Sequence, residues 1–152
     1  MSEHYYTQAP SSQHDVREVE AVLRGKVYRF RTDAGVFSRQ GVDKGTALLI
    51  KSLQCRQGEV VLDLGCGYGP IGAVAADLVG PTGRVYLTDV NQRAVELARE
   101  NLRLNGITNA TVLGGEAETV WPAEPLDWVL CNPPIRAGKA VVYNLMDEAY
   151  RH

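Results

Sequence analysis

Cysteine is scarce and poorly placed for chemistry. The chain of 152 residues has three, Cys55, Cys66 and Cys131, an odd number without C-x-x-C spacing. Neither a disulfide framework nor a zinc site is indicated, no metal is expected, and the three read as small buried apolar fillers. Histidine is equally rare at three residues, and no His–carboxylate pair stands out for acid–base work. Long apolar runs are missing too. Hydrophobic residues make up 45% of the chain, but no run approaches the length of a bilayer span, so the sequence reads as soluble and globular with no membrane partner. The first ten residues are polar and aromatic, unlike a secretory leader, and the cytoplasm is the expected location. A net charge of −2 lacks the basic surplus of a nucleic-acid binder, so any RNA affinity has to come from local patches.

What the sequence does have is rhythm. From Glu59 onward it alternates strand, glycine loop and helix. Val60 to Leu64 is a continuous apolar strand of the buried parallel kind. Pro70 to Val79 reads as a helix with proline in its first turn. Arg84 to Thr88 is a second strand, and Asn91 to Asn105 a long helix with Asn91 as N-cap and Gly106 just past its end. Thr111 to Leu113 and Asp127 to Cys131 are the third and fourth strands, and Gly138 to His152 begins another helix. This β-α-β-α order predicts a doubly wound, mostly parallel α/β sheet with ligands at the carboxyl ends of its strands. Upstream, Val16, Val19, Val22 and Leu23 sit at helical spacing, which predicts a short amphipathic helix over Ser12 to Leu23. Lys26 to Arg31, a turn at Asp33-Ala34-Gly35 and a return at Val36-Phe37 predict a hairpin, and Gly45 to Leu53 an apolar helix.

The loop Asp63-Leu64-Gly65-Cys66-Gly67-Tyr68-Gly69-Pro70-Ile71-Gly72 follows the first strand of this series. Its glycines let the backbone turn tightly and approach a ligand without a Cβ in the way. The second strand ends in Asp89, a carboxylate suited to accept from both hydroxyls of a ribose, so a nucleoside site is implied. Gly67 to Gly72 also satisfies the dinucleotide pattern G-x-G-x-x-G, a weak signal alone. Charge separates the readings. Asp63, Asp89, Glu116 and Glu118 all fall at strand ends, where they would repel a pyrophosphate. They suit S-adenosylmethionine, which has no phosphate and carries an ammonium and a sulfonium.

The fourth strand stops at Asn132-Pro133-Pro134-Ile135. Each proline locks its φ and donates no hydrogen bond, so the Asn132 side-chain oxygen and the Asn132 and Pro133 carbonyls form a rigid group of acceptors. That group suits a planar NH2, whose two hydrogens need two acceptors and whose lone pair must face an electrophile.

These motifs resemble those of class I S-adenosylmethionine-dependent methyltransferases acting on amino nitrogens. Gly35-Val36-Phe37-Ser38, Asp43-Lys44-Gly45-Thr46 and Asn132 to Lys139 are similar, more closely, to the small-domain methyltransferases that include the small-subunit ribosomal RNA guanine-N2 enzymes. The resemblance implies one Rossmann-like domain over 1–152, with a helix and hairpin extension at 1–55 and a cofactor-binding core at 56–152. The family's sheet has seven strands, so the sequence is expected to be a C-terminally shortened form, its fourth strand otherwise an uncovered edge. It also implies that Asp63, Gly65, Cys66, Gly67, Tyr68 and Gly69 cradle the methionine part of the cofactor. Asp89 and Val90 would hold the ribose, Glu116 and Ala117 would lie along the adenine, and Asp43, Gly45 and Thr46 would close the methionine end. Asn132, Pro133, Pro134 and Ile135 would be the catalytic cluster, with Asn132 also at the cofactor. Where many relatives carry Tyr or Phe this chain has Ile135, which passes base stacking to Phe37 or Tyr68, Phe37 being alternatively a plain core aromatic.

Arg24, Lys26, Arg29 and Arg31, interleaved with Tyr28 and Phe30, form either an RNA-facing patch or a solvated hairpin face. Arg136 and Lys139, directly after the acceptor cluster, are the better candidates for substrate contact. The leading expectation is an RNA guanine-N2 methyltransferase with ribosomal RNA or a ribosomal subunit as partner. A methyltransferase for a protein glutamine amide, a nicotinamide-dependent dehydrogenase and a non-catalytic RNA or assembly module are its rivals.

Overall fold

A computed structural model describes residues 13–36, 41–114 and 121–132, together with the backbone of 141–144. Its first element is β1 (Arg17–Leu23), which turns through Arg24 and Gly25 into β2 (Lys26–Thr32). The register runs antiparallel from Arg17 opposite Thr32 to Leu23 opposite Lys26. Where a helix over Ser12 to Leu23 is expected, Arg17–Leu23 is therefore a strand. Two residues with positive φ, Arg24 at 51° and Gly25 at 81°, make the tight turn whose twist matches a hairpin. The period of two then prevails over the helical spacing: Val19 and Ala21 face inward, and Val22 stays 69% exposed. Lys26 to Arg31 is a strand as expected, but its partner lies before it in the chain rather than after. The Asp33 to Gly35 turn is present, closed by Val36 N–H donating to Asp33 O at 3.3 Å, while Phe37 lies outside the described residues.

Helix α1 (Lys44–Lys51) is capped by Asp43, whose side chain accepts from Thr46 N. Next come β3 (Val60–Leu64), α2 (Pro70–Val79), β4 (Arg84–Thr88), α3 (Gln92–Leu104), β5 (Ala110–Leu113), β6 (Trp128–Cys131) and β7 (Val141–Asn144). Each of the first six begins and ends within a few residues of its sequence expectation. The exception is β7, where a helix was expected. Val141, Val142 and Tyr143 are β-branched or aromatic, and they pair antiparallel with β6. Consequently β6 is not an edge.

The sheet order is β5-β4-β3-β6-β7, with β3, β4, β5 and β6 parallel. Strand order reverses between β3 and β6, the topological switch point at which open α/β sheets bind ligands. One face of the sheet, through Val61, Val85, Leu87, Val112 and Leu130, shares a single core with the hairpin and with α1, α2 and α3. The opposite face, through Val60, Leu62 and Val129, packs with Leu126. In the shared core Tyr28 stacks on Phe30 at 6.0 Å, and Phe30 meets Tyr68 at 5.6 Å. Burying Phe30 alone stabilises by roughly 2–3 kcal/mol, and it ties the hairpin to the loop after β3.

Among the described residues no helix is long and apolar enough to cross a membrane, and no group of three His, Cys, Asp or Glu is placed to hold a metal.

Candidate active site

The loop from Gly65 to Gly69 leaves β3 at the switch point. Gly65, Gly67 and Gly69 have φ of 71°, 57° and 103°, values that a side chain makes costly. A Cβ at Gly65 or Gly67 would meet nothing within 4 Å, so this side of the loop is open to a ligand. Its backbone is held from behind. Cys66 N donates to Thr88 O at 2.8 Å, Gly67 N to Asp89 Oδ2 at 2.8 Å, and Asn101 Nδ2 to Tyr68 O at 2.8 Å. Tyr68 therefore serves the loop through its backbone. Its ring is 2% exposed, which rules it out as a platform for a base.

Two carboxyls frame the loop. Asp63 is 1% exposed, and its Oδ2 accepts from Gly72 N at 2.8 Å. Burial pushes its pKa up to about 7, against the pull of the Gly72 bond and with a further push from Asp89. Asp89 is also raised by burial, although it accepts from Asn91 N, Gly67 N and Val90 N. A cation bound beside them would offset that desolvation and favour both carboxylates ionised, whereas a phosphate would oppose it, so the pair suits a cation.

The second half of the site comes from β6 and α1. Asn132 follows directly on Cys131, which lies opposite Leu64 in the sheet. Its Nδ2 donates to Thr46 Oγ1 at 2.6 Å. A Cβ on Gly45 would lie 3.6 Å from Asn132 Oδ1 and 3.8 Å from Asp43 Oδ2. Asp43, Gly45 and Thr46 thus form one cluster at the switch point with Asn132, 86 residues beyond Thr46. Asp43 is close enough to Tyr68 to help burial raise the pKa of its phenol.

S-Adenosylmethionine fits these residues. Among the described residues Asp63 Oδ1 and the Tyr68 hydroxyl are buried without a hydrogen-bond partner, and an unpaired buried polar atom is costly unless a ligand satisfies it. The open glycines would hold the amino-acid end, and Asp89 keeps acceptor capacity for ribose hydroxyls. Pro133, Pro134, Ile135, Arg136, Lys139, Glu116, Ala117 and Phe37 lie outside the described residues.

Sequence reasoning missed Asn101 and the second contact of Asn91. Asn101 also donates to Arg31 O at 3.0 Å and accepts from Arg31 N at 2.7 Å, joining α3 to β2 as well as to the loop. A polar residue within the buried stripe of α3 was the available signal. Asn91 caps α3 and donates to Gly35 O at 2.8 Å, which fastens the turn after β2 beside Asp89. Each of the hairpin cations has a partner within the molecule. Arg24 donates to the carbonyls of Ile50, Lys51 and Leu53, Lys26 pairs with Asp77, Arg29 with Glu20, and Arg31 with Glu100 and Glu18. Tyr28 and Phe30 between them are buried, so the aromatic half of the expected RNA patch is core.

Comparison with known proteins agrees with this geometry. Residues 27–152 match the family described as methyltransferase small domain. The chain is 43% identical over 155 aligned positions to the uncharacterized protein YbxB of Bacillus subtilis (strain 168), covering all of this chain and 76% of that protein. It is 35% identical to ribosomal RNA small subunit methyltransferase C of Serratia proteamaculans (strain 568), over 71% of this chain and 30% of the relative. Among solved structures, the 16S rRNA N2 G1207 methyltransferase RsmC of T. thermophilus, in complex with AdoMet and guanosine, superimposes with a TM-score of 0.71. That match has 29% identity and covers 81% of this chain and 34% of that one. The chain thus spans about a third of the ribosomal RNA methyltransferases it resembles. With the glycine loop, the two strand-end acids and Asn132 assembled at one switch point, it belongs to the methyltransferase small domain family of S-adenosylmethionine-dependent methyltransferases.

Proposed function

We propose that this chain transfers a methyl group from S-adenosylmethionine to the exocyclic N2 of a guanine in ribosomal RNA. The observation that carries the reading is the Asn132 amide. Its nitrogen is committed to Thr46, its oxygen is left as an acceptor, and it stands at the strand end adjoining the glycine loop. A guanine amino group is a poor nucleophile because its lone pair is delocalised into the ring. Acceptors fixed at Asn132 Oδ1 and the Pro133 carbonyl would hold both hydrogens, draw the nitrogen toward tetrahedral geometry and aim its lone pair, so that catalysis is mainly positioning. The cofactor, when bound, supplies an electrophilic methyl on a sulfonium: the C–S bond breaks, the N–C bond forms, and a thioether leaves. The proton lost from the nitrogen afterwards goes to water, so no strong base is required.

In the same reading Asp63 and the Gly65, Cys66, Gly67, Tyr68 and Gly69 backbone hold the methionine end, together with Asp43, Gly45 and Thr46. Asp89 and Val90 hold the ribose, and Glu116 and Ala117 flank the adenine. Pro134 and Ile135 stiffen the acceptor loop, and Phe37, Arg136 and Lys139 meet the RNA. Residues 1–55 serve as an extension packed on a 56–152 core, and the protein works in the cytoplasm. The complex of RsmC with guanosine supports guanine as the base. Incubation with methyl-labelled cofactor and either ribosomal RNA or ribosomal protein tests the reading. Label released by nuclease supports it, and label released only by protease would transfer the assignment to a glutamine amide.

A further inference from the structure

We propose that Thr46 is a positioning residue: its hydroxyl oxygen takes a hydrogen from Asn132 Nδ2 and so turns Asn132 Oδ1 toward the amino group of the substrate. The inference rests on the amino-nitrogen reading of the site and adds to it the residue that gives Asn132 its polarity. An asparagine amide presents a donor edge or an acceptor edge according to how it is flipped. In the opposite flip the Thr46 hydroxyl would donate to the amide oxygen, and the Asn132 NH2 would then face the NH2 of the substrate, donor against donor. Only with Thr46 as acceptor does Asn132 become an acceptor for substrate.

Three features of the structure keep Thr46 beside Asn132. The Asn132 Nδ2 to Thr46 Oγ1 distance is 2.6 Å, a short bond between neutral groups. Thr46 is buried, which removes water as a competing partner. Its backbone N–H is taken by the Asp43 carboxylate at 3.1 Å, which fixes the first turn of α1 from which the side chain projects. Gly45 completes the arrangement. A Cβ there would already be in contact with Asn132 Oδ1 at 3.6 Å, and anything longer would cover the acceptor, so a residue without a side chain keeps it accessible. The N-terminal turn of α1 thereby aligns an amide that lies at the other end of the sequence.

Thr46→Val keeps the shape of the side chain and removes the acceptor, whereas Thr46→Ser keeps the acceptor. The first readout is the Asn132 side-chain NH2 in a nitrogen–proton spectrum, assigned by its disappearance in Asn132→Ala. The wild type and Thr46→Ser are expected to show one hydrogen-bonded proton that exchanges slowly with water, and Thr46→Val is expected to lose it. The second is the preference for guanosine over inosine, which lacks the amino group, measured by calorimetry on protein saturated with S-adenosylhomocysteine. It should be about tenfold in the wild type and Thr46→Ser and close to one in Thr46→Val, the worth of one aligned hydrogen bond. A Thr46→Val protein that keeps the protected proton, or the full guanosine preference, would overturn the proposal. So would a Thr46→Ser protein that behaves like Thr46→Val, since packing would then be the cause. A wild type indifferent to the amino group, with the amide proton still lost in Thr46→Val, would support the orienting role of Thr46 and overturn the guanine reading instead.

Discussion

At Asp63 a carboxyl is enclosed at the end of β3, with the Gly72 N–H on one oxygen and, among the described residues, no partner on the other. Burial raises its pKa to about 7, so between roughly pH 4 and pH 7 the folded protein keeps a proton that the unfolded chain has lost. Its stabilising contribution is therefore fully present below pH 4 and declines as pH rises to 7. Asp89, also raised, acts in the same direction. Urea unfolding of the ligand-free protein at pH 5 and pH 8 should show a loss on the order of 2–3 kcal/mol across that interval, and Asp63→Asn should remove most of it. Parallel curves for the two proteins would contradict this assignment. Asp63, Gly65, Gly67, Asp89 and Asn132 could be found from sequence because each is marked locally, by an apolar strand that ends beside it. The bond from Asn132 to Thr46 spans 86 residues and that from Asn101 to Arg31 spans 70. No local pattern encodes such pairings.

Among the elements, the β1–β2 hairpin and α3 depend on one another through Asn101. That side chain satisfies both backbone groups of Arg31 and the Tyr68 carbonyl. Asn101→Leu, similar in volume, should leave all three polar groups without their partner and cost about 2–4 kcal/mol. Because one of the three belongs to the loop at the proposed cofactor site, affinity for S-adenosylhomocysteine should fall as well. A calorimetric titration with unchanged affinity would show that the loop does not need this anchor. The helices and parallel strands were legible because capping residues, glycines and unbroken apolar runs marked their limits: Asn91 and Gly106 bracket α3, and Pro70 opens α2. The strand β1 was not, since Val16, Val19, Val22 and Leu23 satisfy a helical period equally well. The choice fell to the Arg24-Gly25 turn and to the partner strand. The strand β7 escaped for a related reason, because Val141 to Asn144 becomes a strand by pairing with β6.

For the molecule as a whole, the hairpin is not a separate binding module, since Leu23, Tyr28 and Phe30 share one core with α1, α2, α3 and the sheet. Composition anticipated the electrostatic consequence. A chain with net charge −2 has few cations to spare, and those of the hairpin are bonded to Asp77, Glu18, Glu20, Glu100 and the end of α1. The proposal that RNA contact falls to Arg136 and Lys139, both outside the described residues, can be tested by salt dependence. In filter-binding titrations against salt, Arg136→Gln should make the slope shallower by about one, whereas Lys26→Gln and Arg29→Gln should leave it unchanged. A shallower slope for the hairpin variants would return the RNA surface to β1 and β2.

The central claim, that this switch-point site methylates the amino nitrogen of guanine, is tested most directly by identifying the product. Unmethylated ribosomal RNA, incubated with labelled S-adenosylmethionine and either the wild type or Asn132→Ala, would be digested to nucleosides and resolved by mass. The account predicts label in N2-methylguanosine with the wild type, and at least about a hundredfold less with Asn132→Ala. Label in any other nucleoside, or equal label with the two proteins, would contradict it.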